Sequence, residues 1–77
     1  MNVQNAALKM LTHIKKYEAI KMFNATAVEH AKWLLHGVAY EYMVGDTAIY
    51  NLAWGQCILR NYGILTIDEI KQINKDS

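Results

Sequence analysis

The stretch TAVEHAKWLLHGVAYEYMV, from Thr26 to Val44, decides the fold of this chain because, wound as a helix, it is apolar on two opposite sides. At 100° per residue, Ala27, Val28, Ala31, Leu34, Leu35, Val38, Ala39 and Tyr42 fall on one stripe as broad as a core-facing helix surface. Trp33, Gly37, Tyr40 and Val44 recur at i, i+4, i+7 and i+11. They draw a second line down the other side, bordered by Glu29, His30, His36 and Glu41. A helix apolar on two sides meets two neighbours. This one is therefore expected either to be sandwiched within its own chain or to share its second face with another. Gly37 in mid-helix costs roughly 1 kcal/mol relative to Ala, and close approach of another backbone is the expected reason for it.

The ends of this helix carry signals of their own. Thr26-Ala27-Val28-Glu29 has the spacing of a capping box, which places the start after a joint at Asn24 to Thr26. Gly45 can adopt positive φ and stop the helix, and Asp46 can cap the next one. So short a connection implies antiparallel neighbours.

Upstream, residues 2 to 17 form an amphipathic helix. Val3, Ala7, Met10, Leu11, Ile14 and Tyr17 lie on one side, and Asn2, Asn5, Lys9, Thr12, His13 and Lys16 on the other. Beyond Tyr17 the register fails. Either the chain breaks there or one helix runs on to Phe23 and changes partners, and with no Gly or Pro to break it the continuous helix is preferred.

Downstream, Ala48, Leu52, Gly55, Leu59 and Tyr62 form a helix-packing seam within Thr47 to Tyr62. Ile49, Ala53 and Cys57 run along one flank and Tyr50 and Trp54 along another, so this helix too is expected to be covered on more than one side. A rival reading makes residues 48 to 67 two strands turning near Gly63, but the seam spacing fits better than any alternation. Gly63 then serves as the residue after the helix end, with Ile64 reaching back to Leu59. Thr66-Ile67-Asp68-Glu69 is a second capping box, with Leu65 and Ile70 as a hydrophobic staple. The short helix it starts, about residues 67 to 74, is expected to dock through Ile67, Ile70 and Ile73.

The run YGILTIDEIKQI resembles the short helical C-terminal tails, of the SHOCT type, carried by many small bacterial, phage and mobile-element proteins. The resemblance covers about the last quarter of the chain and rests mostly on helix-capping residues. It implies an interaction element with no catalytic residues to transfer, and an origin in a phage or mobile element.

Composition bounds the function. Seventy-seven residues make a single helical domain spanning residues 1 to 77, with little interior. Yet 53% of them are hydrophobic against 19% charged, more apolar surface than so small a core absorbs. The surplus points to an interface, with a homo-oligomer or an obligate partner. The net charge of +1, with Arg60 the sole arginine, supplies no strong field for nucleic acid or an anionic membrane. One cysteine, Cys57, excludes an internal disulfide and suits a reducing cytoplasm. No apolar run reaches the ~18 residues of a membrane span, and the N-terminus is too interrupted by lysines for a signal peptide.

Chemical motifs are sparse. His30 and His36 lie on opposite flanks of their helix and cannot grip one metal. His36 with Glu29 and Lys32 reads as a solvated cluster, and Cys57 as a buried thiol acting as a small hydrophobe. The glycines are isolated and make no phosphate-cradling loop. A helix-turn-helix has only the weak trio Gln56, Arg60 and Asn61 to recommend it.

The expectation is an all-α bundle of three main antiparallel helices and a short fourth, oligomeric and without enzymatic activity or cofactor. The expected function is a cytoplasmic protein-protein interaction module, a regulator or inhibitor of phage or mobile-element origin, in its most concrete form blocking a host defence complex as anti-CRISPR proteins do. Its expected contact residues are Trp33, Gly37, Tyr40, Val44, Tyr50 and Trp54. The alternative is a nucleic-acid-binding module using Lys9, His13, Lys15 and Lys16. A small structural or virion component is third.

Overall fold

Four amphipathic segments wind as helices in the computed structural model, which describes residues 1–18 and 25–77. These are α1 (Val3–Glu18), α2 (Ala25–Ala39), α3 (Gly45–Asn61) and α4 (Ile67–Lys75). The chain is all-α, and α2 lies between α1 and α3 and packs against both. Residues 48 to 61 are helical, which removes the strand reading. The core is the set of apolar faces read from periodicity: Ala7, Met10 and Ile14 from α1, Val28, Ala31, Leu35 and Val38 from α2, and Ala48, Leu52 and Leu59 from α3. Continuation of α1 to Phe23 falls outside the described residues.

Glycine decides how closely α3 approaches α2. A Cβ on Gly55 would stand 2.9 Å from Leu35 Cδ2 and 3.0 Å from its Cγ, and Leu35 has no exposed surface. Gly37 is different. The nearest neighbour of a Cβ there is a side chain, the thioether end of Met43 at 2.9 Å, beneath which Gly37 is buried, and the Met43 N–H donates to Gly37 O at 3.0 Å.

Three helix boundaries depart from expectation. First, α2 already includes Ala25, so Thr26 lies inside the helix and cannot be its N-cap. Second, α2 ends at Ala39, five residues before Val44. Its terminator is Glu41, which takes φ 63° and donates its N–H to Val38 O at 3.3 Å, the role a glycine usually fills. Gln4 Nε2 of α1 donates to Ala39 O at 2.9 Å and satisfies another carbonyl at this end. Tyr42 therefore leaves the core stripe and is exposed. Third, Gly45 does take positive φ, 63°, but it opens α3; Val44 is the N-cap and Asp46 sits in the first turn.

The far end of α3 follows the sequence closely. Gly63 has φ 71°, its N–H reaches Arg60 O at 3.0 Å, and the Ile64 N–H reaches Leu59 O at 2.9 Å. These are the two bonds of a Schellman motif, with buried Ile64 and Leu59 beside them. Tyr62, expected in the seam, lies past the helix end and is half exposed.

The tail docks on its own chain. Thr66 Oγ1 accepts from the Glu69 N–H at 3.1 Å and Glu69 Oε1 from the Thr66 N–H at 2.9 Å, completing the capping box. Leu65 is buried, and Ile70 and Ile73 pack on the core, whereas Ile67 stays half exposed. Polar bonds close the remaining contact: Lys9 Nζ donates to Asp76 O at 2.8 Å and Gln56 Nε2 to Asn74 Oδ1 at 2.8 Å. The Thr66 N–H holds the Glu69 carboxyl below the usual glutamate range, aided by the Thr66 hydroxyl contact and His13. A lowered folded-state pKa stabilises the fold above the unfolded-state value and ceases to do so as pH falls through the lower one. Thr66→Ala should cost ~1 kcal/mol by circular dichroism melts. The deficit of Glu69→Gln at neutral pH should close in acid.

Candidate functional site

Once α1, α2 and α3 have spent their best apolar stripes on the core, the outward sides of α2 and α3 retain a second set of large side chains. Trp33 is 78% exposed and Tyr42 79%, values far above those of core aromatics. Tyr40, Val44, Ile49, Tyr50, Trp54 and Tyr62 are also exposed. Of the residues expected at an interface, Trp33, Tyr40, Val44, Tyr50 and Trp54 lie on this outer surface. Gly37 lies below it, under Met43.

Ring contacts join these residues into a band. At the α2 end, the His36 ring lies 4.4 Å from that of Tyr40, tilted, and 6.2 Å from that of Tyr42, nearly parallel. Toward the other end, His30 of α2 meets Trp54 of α3 edge-on at 5.0 Å, and Trp54 meets Tyr50 edge-on at 6.1 Å. Trp33 lies between the two groups, sharing one open hollow with His30 and Thr26 and another with His36, Tyr42 and Met43. His30 thus bridges the helices, and His36 belongs to an aromatic cluster. Of the expected solvated cluster of His36, Glu29 and Lys32, the Glu29–Lys32 pair forms at 3.6 Å, and His36 is exposed beside Tyr40 and Tyr42. Lys32 also pairs with Glu18 of α1 at 3.2 Å, and the Glu18 hydrogen bond raises the Lys32 pKa.

Six rings in this region (Trp33, Tyr40, Tyr42, Tyr50, Trp54 and Tyr62) are on average rather more than half exposed, so they present on the order of 700–800 Å². The largest apolar patch of a typical monomer is about 300–600 Å². α2 is thus sandwiched between α1 and α3, yet its Trp33 side and the outer side of α3 are not covered by the described residues.

Tyr42, His30 and His36 were not among the expected contact residues. Periodicity alone carries Tyr42 into the core stripe because nothing in the sequence marks Glu41 as a helix end. The His30 pairing with Trp54 joins two helices and has no signature along the chain.

The lysine line of α1 is placed differently. Lys9 is engaged with Asp76, and His13 Nε2 lies 3.2 Å from Ile64 O and 3.7 Å from the Glu69 carboxylate. Lys15 and Lys16 are exposed. Two of the four expected nucleic-acid contacts thus face the tail of their own chain.

Cys57 is exposed, not buried, and its Sγ accepts from Asn61 Nδ2 at 3.6 Å. It borders a shallow recess of about 310 Å³ with Ala53, Arg60, Ile67, Ile70 and Lys71. Among the described residues no group of three His, Cys, Asp or Glu side chains is placed to hold a metal ion. No helix of the described residues is long and apolar enough to cross a membrane. No family model, curated protein or solved structure matches the chain.

Proposed function

We propose that this chain is a non-enzymatic protein-binding module, a small regulator or inhibitor, and that it docks through the aromatic band of α2 and α3. The observation that carries this reading is the exposure of Trp33, Tyr40, Tyr50 and Trp54, linked to one another through His30 and His36. Trp and Tyr are the residue types that anchor interfaces, since each supplies a large rigid surface at low entropic cost. Mutual ring contacts hold several of them in place before a partner arrives, which lowers the ordering cost of binding.

The tail is a poorer candidate for the docking element, because Leu65, Ile70 and Ile73 are already directed at the core. The likeness of that tail to SHOCT segments supports a phage or mobile-element origin, in which a host defence complex is the kind of target to be blocked.

The test uses a double substitution, Trp33→Ala with Tyr40→Ala. Both side chains are exposed, so the melting temperature should stay near that of the wild type. Recovery of a partner captured from cells of the native host should fall at least tenfold, about 1.4 kcal/mol. Capture at wild-type strength would defeat the reading, as would a steep loss of folding stability in the variant.

A further inference from the structure

We propose that the occupant of the aromatic band is a second copy of this chain, set antiparallel across it so that the α2–α3 turn of one protomer meets the α3 C-terminal end of the other. The inference rests on the docking reading above and names its partner.

Area is the first argument. A standard stable interface buries about 800 Å² on each partner, and the exposed rings alone offer on the order of 700–800 Å². A chain of 77 residues can gain through self-association the apolar burial that one small core does not provide.

Charge supplies the second argument and sets the direction. At the turn end of the band stand Glu41 and Asp46; at the opposite end stand Arg60 and Lys71, which rim the recess beside Cys57. All four are exposed, and none forms an ion pair among the described residues. Glu29, which lies toward the basic end, is already paired with Lys32. A twofold axis lying in the interface along the helices would set acid against acid and base against base. One perpendicular to the helices sets Glu41 and Asp46 against Arg60 and Lys71 twice over. The antiparallel arrangement therefore satisfies both ends at once, and the middle of the band, Trp33 and Trp54, falls near the axis.

The experiment is a charge exchange read by sedimentation and native mass spectrometry. Wild type should sediment at twice 8.8 kDa at micromolar concentration. Glu41→Lys with Asp46→Lys makes both ends of the band basic, and Arg60→Glu with Lys71→Glu makes both acidic. Each double variant alone should dimerise at least tenfold more weakly, and an equimolar mixture should recover the wild-type affinity as a heterodimer. Circular dichroism melts accompany each variant, and Glu41→Gln with Asp46→Asn replaces the first if it fails to fold. A wild type that stays at 8.8 kDa at up to about 100 µM overturns the second copy as occupant. The docking reading is then judged separately by partner capture with Trp33→Ala and Tyr40→Ala. A dimer indifferent to both charge variants, or variants that do not recover on mixing, overturns the antiparallel arrangement.

Discussion

Deleting residues 65–77 should leave a chain that is largely unfolded and aggregates at room temperature. Leu65 is almost completely buried, and Ile70 and Ile73 cover the core beside it. At about 1.5–3 kcal/mol for a fully buried apolar side chain and less for the partly buried ones, these three contribute ~4–6 kcal/mol. A domain of this length has a total stability of only about 4–12 kcal/mol. The deletion also removes Asp76 from Lys9 and Glu69 from His13. Circular dichroism melts with turbidity on the full and shortened chains decide it. An unchanged melting temperature would mean that the tail contributes nothing to the fold.

The second large effect separates two glycines that look alike in the sequence. Gly55→Ala should destabilise the protein by about 1 kcal/mol, within a range of about 0–2. The helix gains ~1 kcal/mol of propensity, but forcing a methyl against Leu35 costs more, because overpacking in a filled core is worth ~1–3 kcal/mol. Leu35 is fully buried, so either its side chain or α3 must shift to admit the methyl. For a domain of this size a loss of about 1 kcal/mol should lower the melting temperature by about 4–8 °C. Gly37→Ala should do the opposite. Met43 is only partly buried, has three torsions to turn through and can swing aside, leaving the propensity gain of up to ~1 kcal/mol. Equal losses at both positions would refute the distinction.

What could be read ahead of the structure was what local chemistry and periodicity decide. Ala48, Leu52, Gly55 and Leu59 repeat at helix-packing spacing and are buried together. Gly63 and the Thr66–Glu69 box end one helix and start the next through hydrogen bonds between near neighbours, and such bonds leave a sequence signature. The end of α2 left none. It is made by Glu41 in a conformation rare for residues other than glycine, and by Gln4 donating to a carbonyl 35 positions away. Tyr42 leaves the core stripe for that reason.

The candidate site divides in the same way. Trp33 and Tyr40 stood out as a line opposite the core stripe. That the surplus face stays bare, that Cys57 lies open and that His30 meets Trp54 depend on which side of α3 turns toward α2, and Gly55 against Leu35 decides that.

The tail contacts also bear on the order in which the chain assembles. Lys9 reaches Asp76 across 67 positions and His13 reaches Ile64 across 51, whereas α2 and α3 are joined by a connection of five residues. Closing the longer loops costs more chain entropy than closing the helical hairpin. Docking of α4 onto α1 is thus expected to come after the hairpin has formed and to be the first contact to open under native conditions. Amide hydrogens of α4 should then exchange with solvent through a partial opening, ahead of those in the middle of α3. The aromatic surface belongs to the hairpin, so it persists through that opening.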